Sequence, residues 1–510
     1  MQATDDSWSC TRIRKVKCGE EKPACERCTK TGRVCDGYPS LEAKNPGQAR
    51  LKWVGELVTA APRPRVSESE ARALDFFRHV VAPVLSGPLR SDFWNGTVMQ
   101  FSTQAPAVRH AAMAVSSLYE GLEPFRATDT KNPFAIEQYN QSISRLRATP
   151  DDEPVVLVVC VLMTCVEMMQ GNIQAAIQHC RHGIAILNGS TANTEMRARL
   201  IPLFCRLSII PFLHGVQPNA FPLLDDTEFF DLTRLAPGAE PPRTVEAVQN
   251  SLDIFLPRCI RFVRAAEAFR ALPPDQIPPD LLDQQRGLVG HLERWKAMAD
   301  SFRRARVLSP ADDLTFHIVE MRYLVGRIWI DMGLEPDEAA YDAHLPRFQR
   351  IVDLATLVLA GSAGSADDEA GRPKFVFEQA FMPLLYFVVV KCRCLCTRVA
   401  ALHAMRALGV MRENLWDVDV MYAVAQNVIE LESGVRVDGV RVEQREEPSR
   451  HQERVSLIRR HLEYIVEAPS ATREGYVGGT NKRIRFVVKK DVQDLVVRER
   501  VLGRAVREVE

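Results

Sequence analysis

The decisive stretch of this 510-residue sequence lies near its start and reads Arg12-Ile-Arg-Lys-Val-Lys-Cys-Gly-Glu-Glu-Lys-Pro-Ala-Cys-Glu-Arg-Cys-Thr-Lys-Thr-Gly-Arg-Val-Cys-Asp-Gly-Tyr38. Four thiolates suit a tetrahedral Zn²⁺, and a Cys-x-x-Cys turn lets two of them reach one ion. A module of about 30 residues buries too little apolar surface to fold by itself, so metal binding would supply its folding free energy. Because the segment shows no secretory signal, clustered cysteines indicate metal rather than disulfides. We therefore predict that the five cysteines of residues 10–35 form a zinc site: Cys10, Cys18, Cys25, Cys28 and Cys35. The last four of them are spaced C-x6-C-x2-C-x6-C.

The same stretch is basic, although the 65 basic and 65 acidic residues of the whole chain cancel. Between Cys10 and Cys35 there are eight Lys or Arg and three Glu, a net charge of +5. A basic run is often a solvated face or a nuclear-import signal. On a rigid, metal-held module the same charges favour binding to a nucleic acid, because contacts with phosphates dominate such binding.

Residues 12–38 resemble the six-cysteine binuclear zinc cluster of fungal transcription factors. The resemblance implies two zinc ions that share six cysteines, with Cys25 as the fourth, bridging cysteine. Cys18 would complete the first zinc site, and Cys28 and Cys35 the second. Pro23 matches the proline in the loop between the two short helices of that module.

The resemblance also implies double-stranded DNA as a partner and the nucleus as the location. Arg14 and Lys15 match the positions that meet a CGG triplet in the major groove, and Arg12 and Lys17 match the flanking basic positions. Arginine or lysine on guanine O6 and N7 is the expected base contact of such a helix. The resemblance further implies contacts with the transcription machinery and allows a homodimer, although residues 41–66 lack sustained heptads.

The first part of the cluster departs from the family spacing. Seven residues separate Cys10 from Cys18, where the family has six, and no cysteine lies upstream. Either Thr11 is an insertion and Ser7 replaces the first cysteine, or Trp8 and Thr11 occupy the first two cysteine positions. Three explanations stay open: an altered exon at the start of the sequence, a cluster that holds one zinc ion well, or a degenerate finger that no longer binds DNA. The last would leave a regulatory protein that acts through protein contacts of its helical domain.

The pattern beyond the cluster predicts a mainly α protein. Residues 1–40 form the zinc-cluster DNA-binding domain, 41–66 a proline-containing linker, and 67–435 an all-helical domain without strands. Ser67-Glu-Ser-Glu predicts a capped helix start, followed by apolar residues at helical spacing. For the C-terminal extension, residues 436–510, the alternation from Ile484 to Val488 leaves a hairpin, a basic tail and an irregular extension open.

The helical region from about residue 70 to 215 resembles the regulatory domain that follows this zinc cluster in many fungal factors. The resemblance implies a regulatory role and assigns no ligand residues. An apolar stripe from Leu252 to Phe269 has heptad spacing, but Pro257 interrupts it, so we predict a core face rather than a dimer seam. Four short motifs carry the resemblance: Phe76-Phe-Arg-His79, Ser91-Asp-Phe-Trp94, Pro106-Ala-Val-Arg-His-Ala111 and Gly171-Asn-Ile-Gln-Ala-Ala176.

Other functional classes find little support in the sequence. The apolar run from Val155 to Val166 is 12 residues long, which is too short to span a bilayer, so no membrane is expected as a partner. The sequence has no Gly-rich phosphate loop, no G-x-S-x-G and no H-E-x-x-H, so we expect no enzyme. At Cys392, Cys394 and Cys396 we predict buried core thiols rather than a metal site. For His79 and His110 we predict structural roles.

Overall fold

The computed structural model describes Lys30, residues 67–122, 132–148, 152–189, 194–224, 242–362 and 373–437, and the backbone of three later strands. The chain divides into two compact units, Met1–Arg65 and Val66–Glu510, and each is considered by itself. In the first unit the description is limited to Lys30, which lies exposed in a turn.

The described part of the second unit is built almost entirely from helices. Its N-terminal half contains α1 (Glu68–Phe76), α2 (Ala82–Leu85), α3 (Met99–Gln104), α4 (Pro106–Glu120), α5 (Pro133–Ala148), α6 (Glu153–Gln170), α7 (Ile173–Gly189), α8 (Thr194–Leu207) and α9 (Ile210–Leu213). Two π-helical segments lie among them, Phe77–Val81 and Phe93–Val98. The predicted mainly α class is therefore confirmed for this part of the chain.

The following helices build the rest of the same core. They are α10 (Val245–Asp253), α11 (Leu256–Ala266), α12 (Pro279–Arg304), α13 (Pro310–Met332), α14 (Leu345–Ser362), α15 (Met382–Lys391), α16 (Leu395–Leu408) and α17 (Val418–Ser433). Short 3₁₀ turns cover Pro218–Ala220, Pro274–Gln276 and Glu338–His344. One continuous hydrophobic cluster joins the buried faces from Phe77 to Val437.

The predicted start of the first helix is confirmed in atomic detail. The Ser67 hydroxyl accepts a hydrogen bond from the Glu70 backbone N–H, and the Glu70 carboxylate accepts one from the Ser67 N–H at 2.9 Å. This capping box satisfies backbone donors that have no partner within the helix.

The stripe from Leu252 to Phe269 is a core face, as predicted. Helix α10 ends at Asp253, and α11 begins at Leu256 with Pro257 in its first turn, where proline is tolerated. Leu252, Cys259 and Phe262 are fully buried. The stripe is therefore covered by the chain's own core.

The prediction that residues 67–435 contain no strand is wrong in one place. Strands β1 (Phe375–Val376) and β2 (Arg412–Glu413) pair in parallel, and β2 pairs antiparallel with β3 (Trp416–Asp417). The turn between β2 and β3 contains Asn414 at φ 59°, a left-handed conformation that asparagine tolerates better than most residues. Strands of two residues are too short to show an alternating pattern, so the sequence offers no period to detect.

The C-terminal strands form a second, separate sheet of order β4-β5-β6. Strand β4 (Leu462–Val466) pairs antiparallel with β5 (Lys482–Asp491), which pairs antiparallel with β6 (Asp494–Leu502). Of the three alternatives for residues 436–510, the backbone agrees with the hairpin, extended by one more strand.

Helix α6 is a long apolar helix. The whole helix has 18 residues, whereas the apolar run within it has 12. By length and composition alone the helix could therefore cross a membrane. However, 78% of its 18-residue apolar window is buried inside the fold. Its side chains from Leu157 to Met169 are covered by neighbouring helices, which is the packing of a core helix.

Candidate functional site

The residues predicted to bind zinc and DNA lie outside the described residues. This applies to the five cysteines from Cys10 to Cys35 and to Arg12, Arg14, Lys15 and Lys17. Their assignment therefore rests on spacing and on similarity to known proteins. Within the described ranges, no group of three or more His, Cys, Asp or Glu side chains is arranged to hold a metal ion.

The cysteines near residue 394 differ from the predicted buried core thiols. Cys392 is buried, but Cys394 and Cys396 are partly exposed, so the prediction is wrong for two of the three. The helix also breaks here, because α15 ends at Lys391 and α16 begins at Leu395. Cys392 and Cys396 therefore do not lie on one continuous helix.

Four buried charged residues form a network at the centre of the helical unit. The Arg206 guanidinium donates to Asp253 Oδ2 at 2.7 Å and to both oxygens of Glu378 at 2.8 and 2.9 Å. Arg322 donates to the other oxygen of Asp253 at 2.6 Å. Two positive and two negative side chains balance, which is the condition for burying charge at tolerable cost.

The network holds Arg206 in its charged form. Burial alone would lower the pKa of Arg206, but the charges and hydrogen bonds of Glu378 and Asp253 raise it above its usual value. Sequence reasoning missed these residues, because they are separated by 47 to 172 positions along the chain and belong to no motif. A charged residue inside an otherwise apolar helical face is the only signal of such a site.

Glu413 is a second buried charged group that the sequence did not reveal. Its carboxylate accepts backbone hydrogen bonds from Ala380, Phe381 and Met382 at 2.6, 3.2 and 3.1 Å, which caps the start of α15. Burial raises the pKa of Glu413 to about 7, against the opposing effect of these three donors. The residue links the small β1-β2-β3 sheet to α15.

The motif Gly171-Asn-Ile-Gln-Ala-Ala176 is a turn between two core helices. Gly171 ends α6 with φ 73°, a left-handed conformation that glycine adopts without strain. Asn172 donates from its side chain to Glu167 at 2.9 Å, and its side-chain oxygen accepts from the Ala175 N–H at 3.3 Å. The other oxygen of Glu167 accepts from the Tyr139 hydroxyl at 2.9 Å. The residues of the motif are thus explained by the turn that they form between α6 and α7.

Of the two histidines, His110 has the predicted structural role, and His79 makes a surface contact. His110 is buried and hydrogen-bonds through Nδ1 to Gln138 Oε1 at 2.6 Å, which joins α4 to α5. His79 is exposed and lies 3.4 Å from Asp75, one helical turn earlier. Neither belongs to a cluster of metal-ligating side chains in the described ranges.

Two domain families match the chain. Residues 8–45 match the fungal Zn(2)-Cys(6) binuclear cluster domain, and residues 72–300 match the fungal specific transcription factor domain. The first match contains all five clustered cysteines, and the second runs from α1 into α12. No solved structure matches the chain.

Curated relatives are fungal regulators. The chain is 27% identical over 417 residues to the aspercryptin biosynthesis cluster-specific transcription regulator of Emericella nidulans, covering 71% of this chain and 66% of that protein. It is 28% identical over 210 residues to a transcription regulator of Purpureocillium lilacinum, covering 37% and 49%. A transcriptional regulatory protein of Schizosaccharomyces pombe is 31% identical over 98 residues, 18% of each chain.

The chain thus spans just under two thirds of the length of the first of these relatives and half or less of the other two. The match to the zinc cluster domain nevertheless precedes the match to the fungal specific transcription factor domain, which is the order that the sequence predicts. The chain therefore carries matches to both the fungal Zn(2)-Cys(6) binuclear cluster domain and the fungal specific transcription factor domain, and the curated proteins to which it is similar are fungal transcription regulators.

Proposed function

We propose that the protein is a zinc-dependent, sequence-specific DNA-binding regulator of transcription in the nucleus. In this proposal Arg14 and Lys15 read a CGG-like half-site, and Arg12 and Lys17 contact the flanking DNA. The observation that carries it is the order of the two matched domains, a zinc cluster over residues 8–45 followed by a regulatory domain over 72–300.

The donor set fits zinc, with one thiolate fewer than two ions require. Cys18, Cys25, Cys28 and Cys35 could complete one tetrahedral site, and Cys10 offers a fifth thiolate. Bound zinc supplies the rigidity that a module of this size lacks. The cluster would hold two ions if a sixth ligand is present and one ion if it is not.

The chemistry of the basic residues supports reading of base edges as well as attraction to phosphates. Guanine presents O6 and N7 as two acceptors in the major groove, and an arginine fork can donate to both. Eight basic side chains in the 26 residues from Cys10 to Cys35 would add an attraction to the DNA phosphates, and this contribution to affinity would weaken as the salt concentration rises. The helical domain would then regulate this binding or contact the transcription machinery, and a homodimer would bring two half-sites together.

The test compares base preference in variants of the zinc-loaded, full-length chain. We expect Arg14→Ala and Lys15→Ala each to weaken binding to a CGG duplex by about 1–3 kcal/mol and to reduce the preference over a scrambled duplex. Arg147→Ala removes the same charge from an exposed position of α5 and serves as the matched control. Fluorescence anisotropy at fixed salt measures both affinities. Equal affinity of the wild-type chain for CGG and scrambled duplexes would sink the proposal.

The missing sixth cysteine favours a second function, that of a regulator acting through protein contacts with a degenerate finger. Counting zinc per chain by elemental mass spectrometry separates the two. Two ions support the intact cluster, and one supports a reduced site that still folds the finger. A chain without zinc that still regulates its genes would support the protein-contact function.

A further inference from the structure

The junction between α15 and α16 brings two thiols together at a helix start. Cys394 is the residue that precedes the first turn of α16, and its Sγ lies 3.0 Å from Cys396 Sγ. Both side chains are partly exposed, whereas the other six cysteines of the described ranges are buried. This pair is therefore the accessible dithiol of that part of the chain.

The two sulfurs differ in their electrostatic surroundings. Although partial burial opposes it, the contact with the Cys396 thiol and the nearby Thr397 lower the pKa of Cys394. Burial and the neighbouring Cys394 raise the pKa of Cys396. The positive end of α16, a helix of 14 residues, also favours a thiolate at Cys394. The contact between the sulfurs and the start of α16 therefore favour Cys394 over Cys396 as the reacting thiolate.

Ion pairs of two buried arginines fix the backbone on both sides of the pair. Arg393, next to Cys394, contacts Asp342 at 2.9 Å. Arg398 contacts Glu432 at 2.7 Å and donates to the Val389 carbonyl at 2.7 Å, with both charged side chains fully buried. These anchors hold the segment of residues 393–398 in place, so that the two sulfurs stay within reach of each other.

We propose that Cys394 and Cys396 form a peroxide-sensitive dithiol, in which Cys394 reacts first and Cys396 resolves the product as a reversible disulfide. The Cys394 thiolate attacks one oxygen of hydrogen peroxide, so an S–O bond forms, the O–O bond breaks and hydroxide leaves. The Cys396 sulfur then attacks the sulfenic acid, an S–S bond forms, and the hydroxyl group leaves with the thiol proton as water. Both sulfurs are oxidised by one electron each, peroxide is reduced by two, and a dithiol reductant reverses the change.

Three other thiols of the described helices differ chemically from this pair. Burial raises the pKa of Cys160 and of Cys259 to about 12, and it raises the pKa of Cys180 further. Buried thiols of this kind are inert, since the thiolate is the reactive species. They supply internal controls for selectivity.

The chain offers a direct readout, because trypsin cuts after Arg393 and Arg398 and releases both sulfurs on the single peptide Cys394-Leu-Cys-Thr-Arg398. Zinc-loaded, full-length protein is treated with hydrogen peroxide, alkylated under denaturing conditions, digested and analysed by mass spectrometry. We expect this peptide to lose two hydrogens and escape alkylation at peroxide doses that leave Cys180 fully alkylated. A pairing with Cys392 would join two separate peptides and is distinguished by mass.

Two variants separate the roles of the sulfurs. Cys396→Ser should stop the reaction at a sulfenic acid on Cys394 that dimedone traps, and Cys394→Ser should slow oxidation of Cys396 at least tenfold. Cys180→Ser is the control and should leave the peptide's oxidation unchanged. The proposal is overturned if the wild-type peptide stays reduced until Cys180 is oxidised, or if Cys396 reacts equally fast without Cys394. The wild-type result does not depend on the folding of any variant, or on DNA binding.

Discussion

At the scale of single residues, the helical unit is distinguished by charges that it buries completely. Asp253 is 0% exposed and accepts from two guanidinium groups, one from α8 and one from α13. Such a network stabilises little relative to an apolar core, but the loss of one member leaves its partners buried and uncompensated. The cost of mutation at this site should therefore be large and asymmetric.

We expect Asp253→Ala to lower the free energy of unfolding by about 3–5 kcal/mol, because the buried guanidinium groups of Arg206 and Arg322 lose their shared acceptor. Asp419→Ala is the matched control, since Asp419 pairs with Arg406 on the surface at 2.7 Å and should cost at most about 1 kcal/mol. Urea unfolding followed by circular dichroism measures both. Similar small losses in the free energy of unfolding of the two variants would show that the buried network matters no more for stability than a surface ion pair.

Glu413 predicts a dependence of stability on pH. Its pKa in the folded chain is about 7, against an ordinary value of 4.5, so the folded state binds the proton more tightly than the unfolded state. The contribution of this group is therefore complete below pH 4.5 and is lost as pH rises to about 7, a change of up to about 3 kcal/mol. Unfolding experiments with Glu413→Gln should show a smaller change over this range than the wild-type chain. Glu137→Gln, at an exposed position of α5, is the control. A dependence of stability on pH in Glu413→Gln equal to that of the wild-type chain would contradict the prediction.

At the scale of elements, close approach between helices depends on small residues. Gly183 of α7 lies against the ring of Phe204 in α8, and an added methyl group would overlap that ring. Gly287 lies in the interior of α12 with open space around the position of a methyl group. These two helical glycines therefore differ in why the chain tolerates them.

Alanine substitution should change stability in opposite directions at the two glycines. We expect Gly183→Ala to lower stability by about 1–3 kcal/mol through overpacking against Phe204. Gly287→Ala should raise stability by about 0.5–1 kcal/mol, because alanine has the higher helix propensity and meets no neighbour. Thermal unfolding of the two variants beside the wild-type chain gives the comparison. A stabilising Gly183→Ala would mean that α7 and α8 lie further apart than described.

The elements also show where sequence reasoning succeeds and where it fails. The capping box at Ser67, the break at Pro257 and the core face that it interrupts follow from local pattern, and all three are confirmed. The β1-β2 pairing joins residues 37 positions apart in strands of two residues, so no local pattern marks it. The partners of Glu413 lie 31 to 33 positions away and those of Arg206 47 and 172 positions away, and these contacts depend on how helices pack rather than on period.

At the scale of the whole molecule, zinc and the helical core should be separable. No metal-ligating cluster exists among the described residues, and the helical unit has its own continuous core. The zinc cluster, by contrast, was predicted from spacing alone and matches a known domain over residues 8–45. Its ligand geometry could not be predicted, because the position of the sixth donor is not fixed by the sequence pattern.

Removal of zinc with a chelator should abolish preferential binding to CGG duplexes and leave the thermal unfolding of the helices unchanged, because their stability comes from apolar burial rather than from metal. Circular dichroism at a helix-sensitive wavelength and anisotropy on the same sample measure the two effects. Re-addition of zinc should restore binding. A simultaneous loss of helical signal would show that the helical core needs the metal.

The buried network at Arg206 has a consequence for the limits of the helical unit. The match to the transcription factor domain ends at residue 300, yet Arg322 and Glu378 supply half of the network whose other half lies before that boundary. A transcript spliced or truncated before residue 378 would leave Arg206 without its bidentate acceptor in the middle of an apolar interior. The folded unit therefore has to extend well past the matched domain, and we expect a chain that ends before residue 378 to be less stable than the full-length chain.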